Sequence, residues 1–227
     1  MALRAPLSLN PMRTLRMLTE HRFRFLYATI MYSAFSGAFY LVIFPAYMGK
    51  CFVGYAQIVL GVAEVSGSYV SGKMSDRIGR TPVFLLGCVC TMLAAGFAAF
   101  SPPKETTLRG AWIYFPAFFL YGLGDSTFNT QSPSVLGLFY PKNAASAFAA
   151  FRIVLAFVGG LTSSIGFAFS YLPAPWDILT PCIIMWALLV FSVVSWVYLD
   201  KRVQSLSPPK KHDTEEVTQD QEVQDLA

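Results

Sequence analysis

Charge is what this sequence has least of. Of its 227 residues only 13% are Asp, Glu, Lys or Arg, against about 25% in an ordinary globular domain. Hydrophobic residues make up 55%. A water-soluble fold needs a charged exterior, and this chain has too few charges to build one. Histidine is nearly absent: His21 and His212 both fall outside the apolar stretches, so no buried His relay is expected. The 4 cysteines form no staple framework. Cys88-x-Cys90 lacks metal-site spacing and a His partner, and Cys51 and Cys182 stand alone, so all four read as packing residues or inert thiols. No metal and no cofactor is expected. A net charge of +4 is too weak to suggest a nucleic-acid partner. No nucleophile–base–orienter set, Walker loop or dinucleotide fingerprint is present, so the chain is not expected to be an enzyme.

What the sequence does have is long apolar runs, each near the roughly 20 residues that cross a bilayer core. Six are apparent: about 25–44, 52–71, 82–100, 111–138, 144–171 and 178–199. Pro and Gly punctuate the short gaps. Helices are the default in lipid, where the backbone finds no other hydrogen-bond partner, and the alternating pattern of an outer-membrane barrel is missing. The expected fold class is therefore an all-α membrane protein, a six-transmembrane-helix bundle with the lipid bilayer as its surroundings. Thirteen Lys and Arg residues cluster at one side: five between Arg4 and Arg24, then Lys73, Arg77, Arg80, Lys142, Lys201, Arg202, Lys210 and Lys211. Only Lys50, Lys104 and Arg109 fall on the other. This bias predicts that both termini are cytoplasmic. The organisation is then a basic N-terminal segment (1–24), the bundle (25–200), and an acidic tail (201–227) with too few apolar residues to support folding.

Ionisable residues inside the spans carry the chemistry. Glu64, Asp125 and Arg152 are the three deep candidates. Each costs at least about 2.5–3.5 kcal/mol at a bilayer centre, so such residues face a bundle interior or a wet cavity and find partners. At 1.5 Å per residue, Glu64 and Arg152 each stand roughly 12 Å above the cytoplasmic ends of their spans and can meet at one depth. Asp125 lies near the midplane, where Arg152 can also reach it. Asp125 and Asn129 are four apart and share a helix face. Gln131, Ser126 and Thr130 add polar groups, Gly122 and Gly124 permit close approach of a helix or a ligand, and Pro133 removes a backbone donor. Two readings stay open. One is a polar pathway, either a proton or cation relay or an anchor for a polar substrate. The other is a static buried pair and a helix–helix seam.

The segment Gly72-Lys-Met-Ser-Asp76-Arg77-Ile-Gly79-Arg80-Thr81 reads as a tight cytoplasmic loop between two spans. It resembles the signature loop of the major facilitator superfamily, Gly-x-x-x-Asp-Arg-x-Gly-Arg-(Arg/Lys). Gly72, Asp76, Arg77, Gly79 and Arg80 match, and Thr81 departs. The stretch Gly124-Asp125-Ser126-Thr127-Phe128-Asn129-Thr130-Gln131 is similar to that of the Unc-93-like family, as are Leu136-Gly137, Phe151-Arg152 and the segment Tyr32–Gly37. The resemblance covers about residues 10–202 and implies spans seven to twelve of a twelve-span fold. It implies a conformational latch at Asp76, Arg77 and Arg80, and a missing N-terminal six-span half or a second copy as partner. It also implies one of two functions: part of a secondary transporter, or a non-transporting partner of an ion channel or membrane receptor.

Overall fold

A backbone surrounded by lipid must satisfy its own hydrogen bonds, and the chain does so with helices; no strand occurs among the described residues. The computed structural model describes residues 11–48, 50–101, 112–141, 143–169, 171–173 and 176–206. Two short helices, α1 (Pro11–Leu18) and α2 (His21–Arg24), precede the first long element. That element begins as α3 (Tyr27–Ala38), passes through a π-helical turn (Phe39–Ile43) and ends as α4 (Phe44–Tyr47). Five long helices follow: α5 (Lys50–Ile78), α6 (Arg80–Ala99), α7 (Tyr114–Phe139), α8 (Ala144–Phe169) and α9 (Trp176–Leu206). The expected tail therefore starts on a helix that runs to Leu206, and residues 207–227 lie outside the described residues. So does most of the expected gap after Ser101.

Five of these segments are long and apolar enough to cross a membrane: Tyr27–Tyr47, Lys50–Ile78, Arg80–Ala99, Ala144–Gly166 and Trp176–Leu199. The fourth expected span departs from that rule. Its helix, α7, has 26 residues, yet the run from Asp125 to Ser134 makes it too polar to qualify alone. Packing resolves this. Helix α7 lies against both α5 and α6, and Asp125, Ser126, Thr127, Gln131 and Ser132 are all buried. The polar helix is thus inside and the apolar helices surround it. Val62, Val65 and Tyr69 on α5, Phe157 on α8, and Val190, Phe191 and Val194 on α9 point outward, as side chains facing lipid do.

The helices form two triplets. One is α5, α6 and α7; the other is α3, α8 and α9, with α9 also packed on α6. Phe84, near the start of α6, stacks on Trp196, near the end of α9, at 4.1 Å. Arg16, Glu20 and Asn143 share another hollow. These contacts bring the N-terminal helices, the α5–α6 turn, the α7–α8 turn and the end of α9 to one end of the bundle. The residue pattern allows this close packing through glycine. A Cβ on Gly122 would lie 2.8 Å from the Leu60 carbonyl oxygen and 2.8 Å from the Ala63 Cβ. One on Gly124 would lie 2.8 Å from the Gly87 carbonyl oxygen and overlap the Thr91 methyl. Gly122 and Gly124 therefore seat α7 on α5 and α6.

The signature segment is not the loop that the sequence suggested. Gly72, Asp76 and Arg77 belong to the last turns of α5, and Arg80 opens α6. A single residue, Gly79, makes the turn with φ +88°, a conformation that L side chains rarely adopt. Its N–H donates to the Ser75 carbonyl at 3.1 Å and closes α5.

Candidate functional site

Where the two triplets meet, an open cavity of about 580 Å³ lies between α3, its π turn, α5, α7 and α8. Its walls contain Glu64, Asp125, Asn129 and Arg152, four of the five candidate site residues singled out from the sequence. Asp125 is only 8% exposed, Glu64 and Asn129 are half-buried, and Arg152 is exposed. Small residues leave the space open: Ala34 and Gly37 on α3, and Ala156, Gly159 and Gly160 on α8. Leu41 and Val42 of the π turn and Leu155 supply an apolar lining. A π turn shifts the helical register by one residue, and such turns are frequent at functional sites.

The Asp125 carboxylate is held from its own helix. The Asn129 side-chain amide donates to its Oδ2 at 2.6 Å, as the four-residue spacing predicts. The hydroxyls of Tyr121 and Ser33 also face it. Tyr121 is buried and stacks on Tyr40 with ring centroids 4.0 Å apart, which fixes the phenol beside the carboxylate. Glu64 enters from α5 and Arg152 from α8. Among the described residues Arg152 forms no ion pair with either carboxylate. The structure thus gathers these three charges at one cavity without pairing them. A carboxylate bonded by neutral donors and an unpaired guanidinium can bind and release charged groups, because neither is neutralised within the chain.

Gln131 lies elsewhere. Its Oε1 accepts from the Ser75 hydroxyl at 3.2 Å, and the hydroxyl of the adjacent Thr130 bonds that of Ser71, one turn before Ser75, at 3.1 Å. These bonds tie α7 to the end of α5 that carries the signature segment. Asp76, Arg77 and Gly79 are exposed there, Gly72 and Arg80 are half-buried, and no ion pair among the described residues joins Asp76 to either arginine. Tyr121 and Ser33 were not anticipated as site residues. Tyr121 carried a signal, since it precedes Asp125 by four residues on the same face. Ser33 carried none, because it comes from another helix. The cysteines are free, with Cys51 exposed and Cys88 and Cys182 buried.

Comparison with known proteins agrees with this architecture. A family model described as "Ion channel regulatory protein UNC-93" matches residues 8–197. The UNC93-like protein MFSD11 of Xenopus tropicalis is 34% identical over 146 residues, covering 57% of this chain and 32% of that protein. Protein unc-93 homolog A of Bos taurus is 31% identical over 145 residues, covering 62% of this chain and 31% of its own length. Protein unc-93 homolog A of Danio rerio is 25% identical over 213 residues, covering 91% of this chain and 42% of that protein. The matches thus span between 31% and 42% of these relatives. No solved structure matches the chain. With a helical membrane bundle, a polar cavity and a family match across nearly all of the spans, the chain belongs to the UNC-93 family of multi-pass membrane proteins.

Proposed function

We propose that this bundle is one side of the pathway of a secondary transporter that works by alternating access, with both chain ends in the cytoplasm. The observation that carries this reading is the cavity in which Asp125, Glu64 and Arg152 stand unpaired. A purely structural set of intramembrane charges is expected to pair, since each unpaired charge costs at least about 2.5–3.5 kcal/mol. A pathway instead keeps them available to a cargo. A second six-span bundle, either an N-terminal half or another copy of this chain, closes the open side. The Asp76, Arg77 and Arg80 segment acts as the latch of one access state, coupled to α7 through the Ser75–Gln131 and Ser71–Thr130 bonds. No catalytic chemistry is part of this reading.

A second reading takes its support from the family description, which names ion channel regulation. There the same face docks on a channel or receptor and the bundle does not alternate. Cysteine labelling separates the two. Ser163 lines the cavity, and Ser163→Cys is introduced after exposed Cys51 is changed to Ser. A membrane-impermeant thiol reagent is then applied from either side of sealed vesicles. Alternating access predicts labelling from both sides. Asp76→Asn then shifts the ratio of the two rates by roughly fivefold or more, the low end of a conformational coupling. Labelling from one side only, unchanged by Asp76→Asn, supports the static partner.

A further inference from the structure

The cavity holds charges of both signs on different walls. Asp125 and Glu64 belong to α7 and α5, in one helix triplet, and Arg152 belongs to α8, in the other. The groups bonded to Asp125 are neutral: the Asn129 amide and the Tyr121 and Ser33 hydroxyls. Leu41, Val42 and Leu155 line the same cavity. We propose that this cavity takes a small zwitterion with an apolar body, its ammonium on Asp125 and Glu64 and its carboxylate on Arg152.

The proposal rests on the pathway reading of the same cavity and adds the class of cargo. Three chemical classes compete, and the lining discriminates among them. A plain cation would leave the Arg152 guanidinium without an anionic partner. A plain anion would leave two carboxylates unpaired and would meet their repulsion. A zwitterion gives each wall a partner of opposite sign, its one ammonium shared by the two carboxylates. The planar guanidinium matches a carboxylate in a two-bond fork, which a hydroxyl or an amine cannot supply. A volume of about 580 Å³ falls inside the usual range of small-molecule sites, about 300–1,000 Å³. The apolar lining residues give an aliphatic side chain a surface to pack against, as small-molecule sites do.

Three matched probes test this on the purified full chain in lipid nanodiscs: leucine, 3-methylbutylamine, which lacks its carboxylate, and 4-methylpentanoate, which lacks its ammonium. The readout is the shift in thermal unfolding as each is titrated. Leucine is expected to reach half its effect at a concentration about tenfold lower than either single-charge probe, one charged contact being worth about that factor. Arg152→Gln should erase the advantage of leucine over the amine, and Asp125→Asn its advantage over the acid. An amine as effective as leucine, with Arg152→Gln changing nothing, overturns the zwitterion. So does the absence of any shift with leucine. If two-sided labelling of Ser163→Cys persists in that case, only the cargo assignment falls; if labelling is one-sided, the pathway reading falls with it.

Discussion

Replacing Asp125 with Asn is expected to remove function while leaving the folded protein near its normal level. The two side chains have the same shape, so the buried position stays filled and Tyr121 and Ser33 keep a hydrogen-bond partner. What is lost is the negative charge at the base of the cavity, only 8% exposed. A hydrogen bond to a charged group is worth about 1.5–3 kcal/mol, so occupancy of the site and transport through it should fall roughly tenfold to a hundredfold. The check is ligand-dependent stabilisation or uptake, set against the yield of monodisperse protein after detergent extraction. If neither activity nor yield changes, the polar segment from Asp125 to Gln131 is a packing seam.

The opposite signature is expected at Gly124. A methyl group there meets the Gly87 carbonyl oxygen at 2.8 Å and overlaps the Thr91 side chain. A backbone carbonyl inside a helix cannot swing aside, so α6 and α7 must separate. Gly124→Ala should therefore destabilise the bundle by about 1–3 kcal/mol, the usual cost of overpacking, and Gly124→Leu by more. Folded yield and unfolding temperature fall together, and any activity falls in proportion to yield. Gly96→Ala is the control: nothing lies within 4 Å of its added methyl, so it should be neutral or mildly stabilising. Equal effects at the two glycines would mean that α6 and α7 are not in close contact at Gly124.

How far the sequence alone reached can be judged residue by residue. The apolar runs gave the long helices, because lipid leaves the backbone no alternative. Their ends were less legible. Hydropathy falls where a span leaves the bilayer, while α5 continues as a helix through Gly72, Asp76 and Arg77 to Ile78. Of the nearby breakers Gly72, Gly79 and Pro82, only Gly79 makes the turn. From the sequence the polarity of α7 fits either a site or a helix–helix seam; Ser126, Thr127 and Gln131 are buried against neighbouring helices, while Asp125 and Asn129 line the cavity. Helical arithmetic anticipates that division. At about 100° per residue, Asn129 comes back close to the face of Asp125, while Gln131 lies roughly 120° away. Glu64, Asp125 and Arg152 line one cavity. Whether they pair was beyond the sequence, because that depends on rotamers and on the spacing of three different helices.

That pairing is the point on which the functional reading depends. A double-mutant cycle measures it directly: unfolding of the wild type, Asp125→Asn, Arg152→Gln and the double variant, all in the same lipid nanodiscs. Unpaired charges predict additivity, with a coupling within about 0.5 kcal/mol of zero. A coupling of about 1–3 kcal/mol, with the double variant regaining the stability that a single variant had lost, would show a structural ion pair across the cavity and contradict the account.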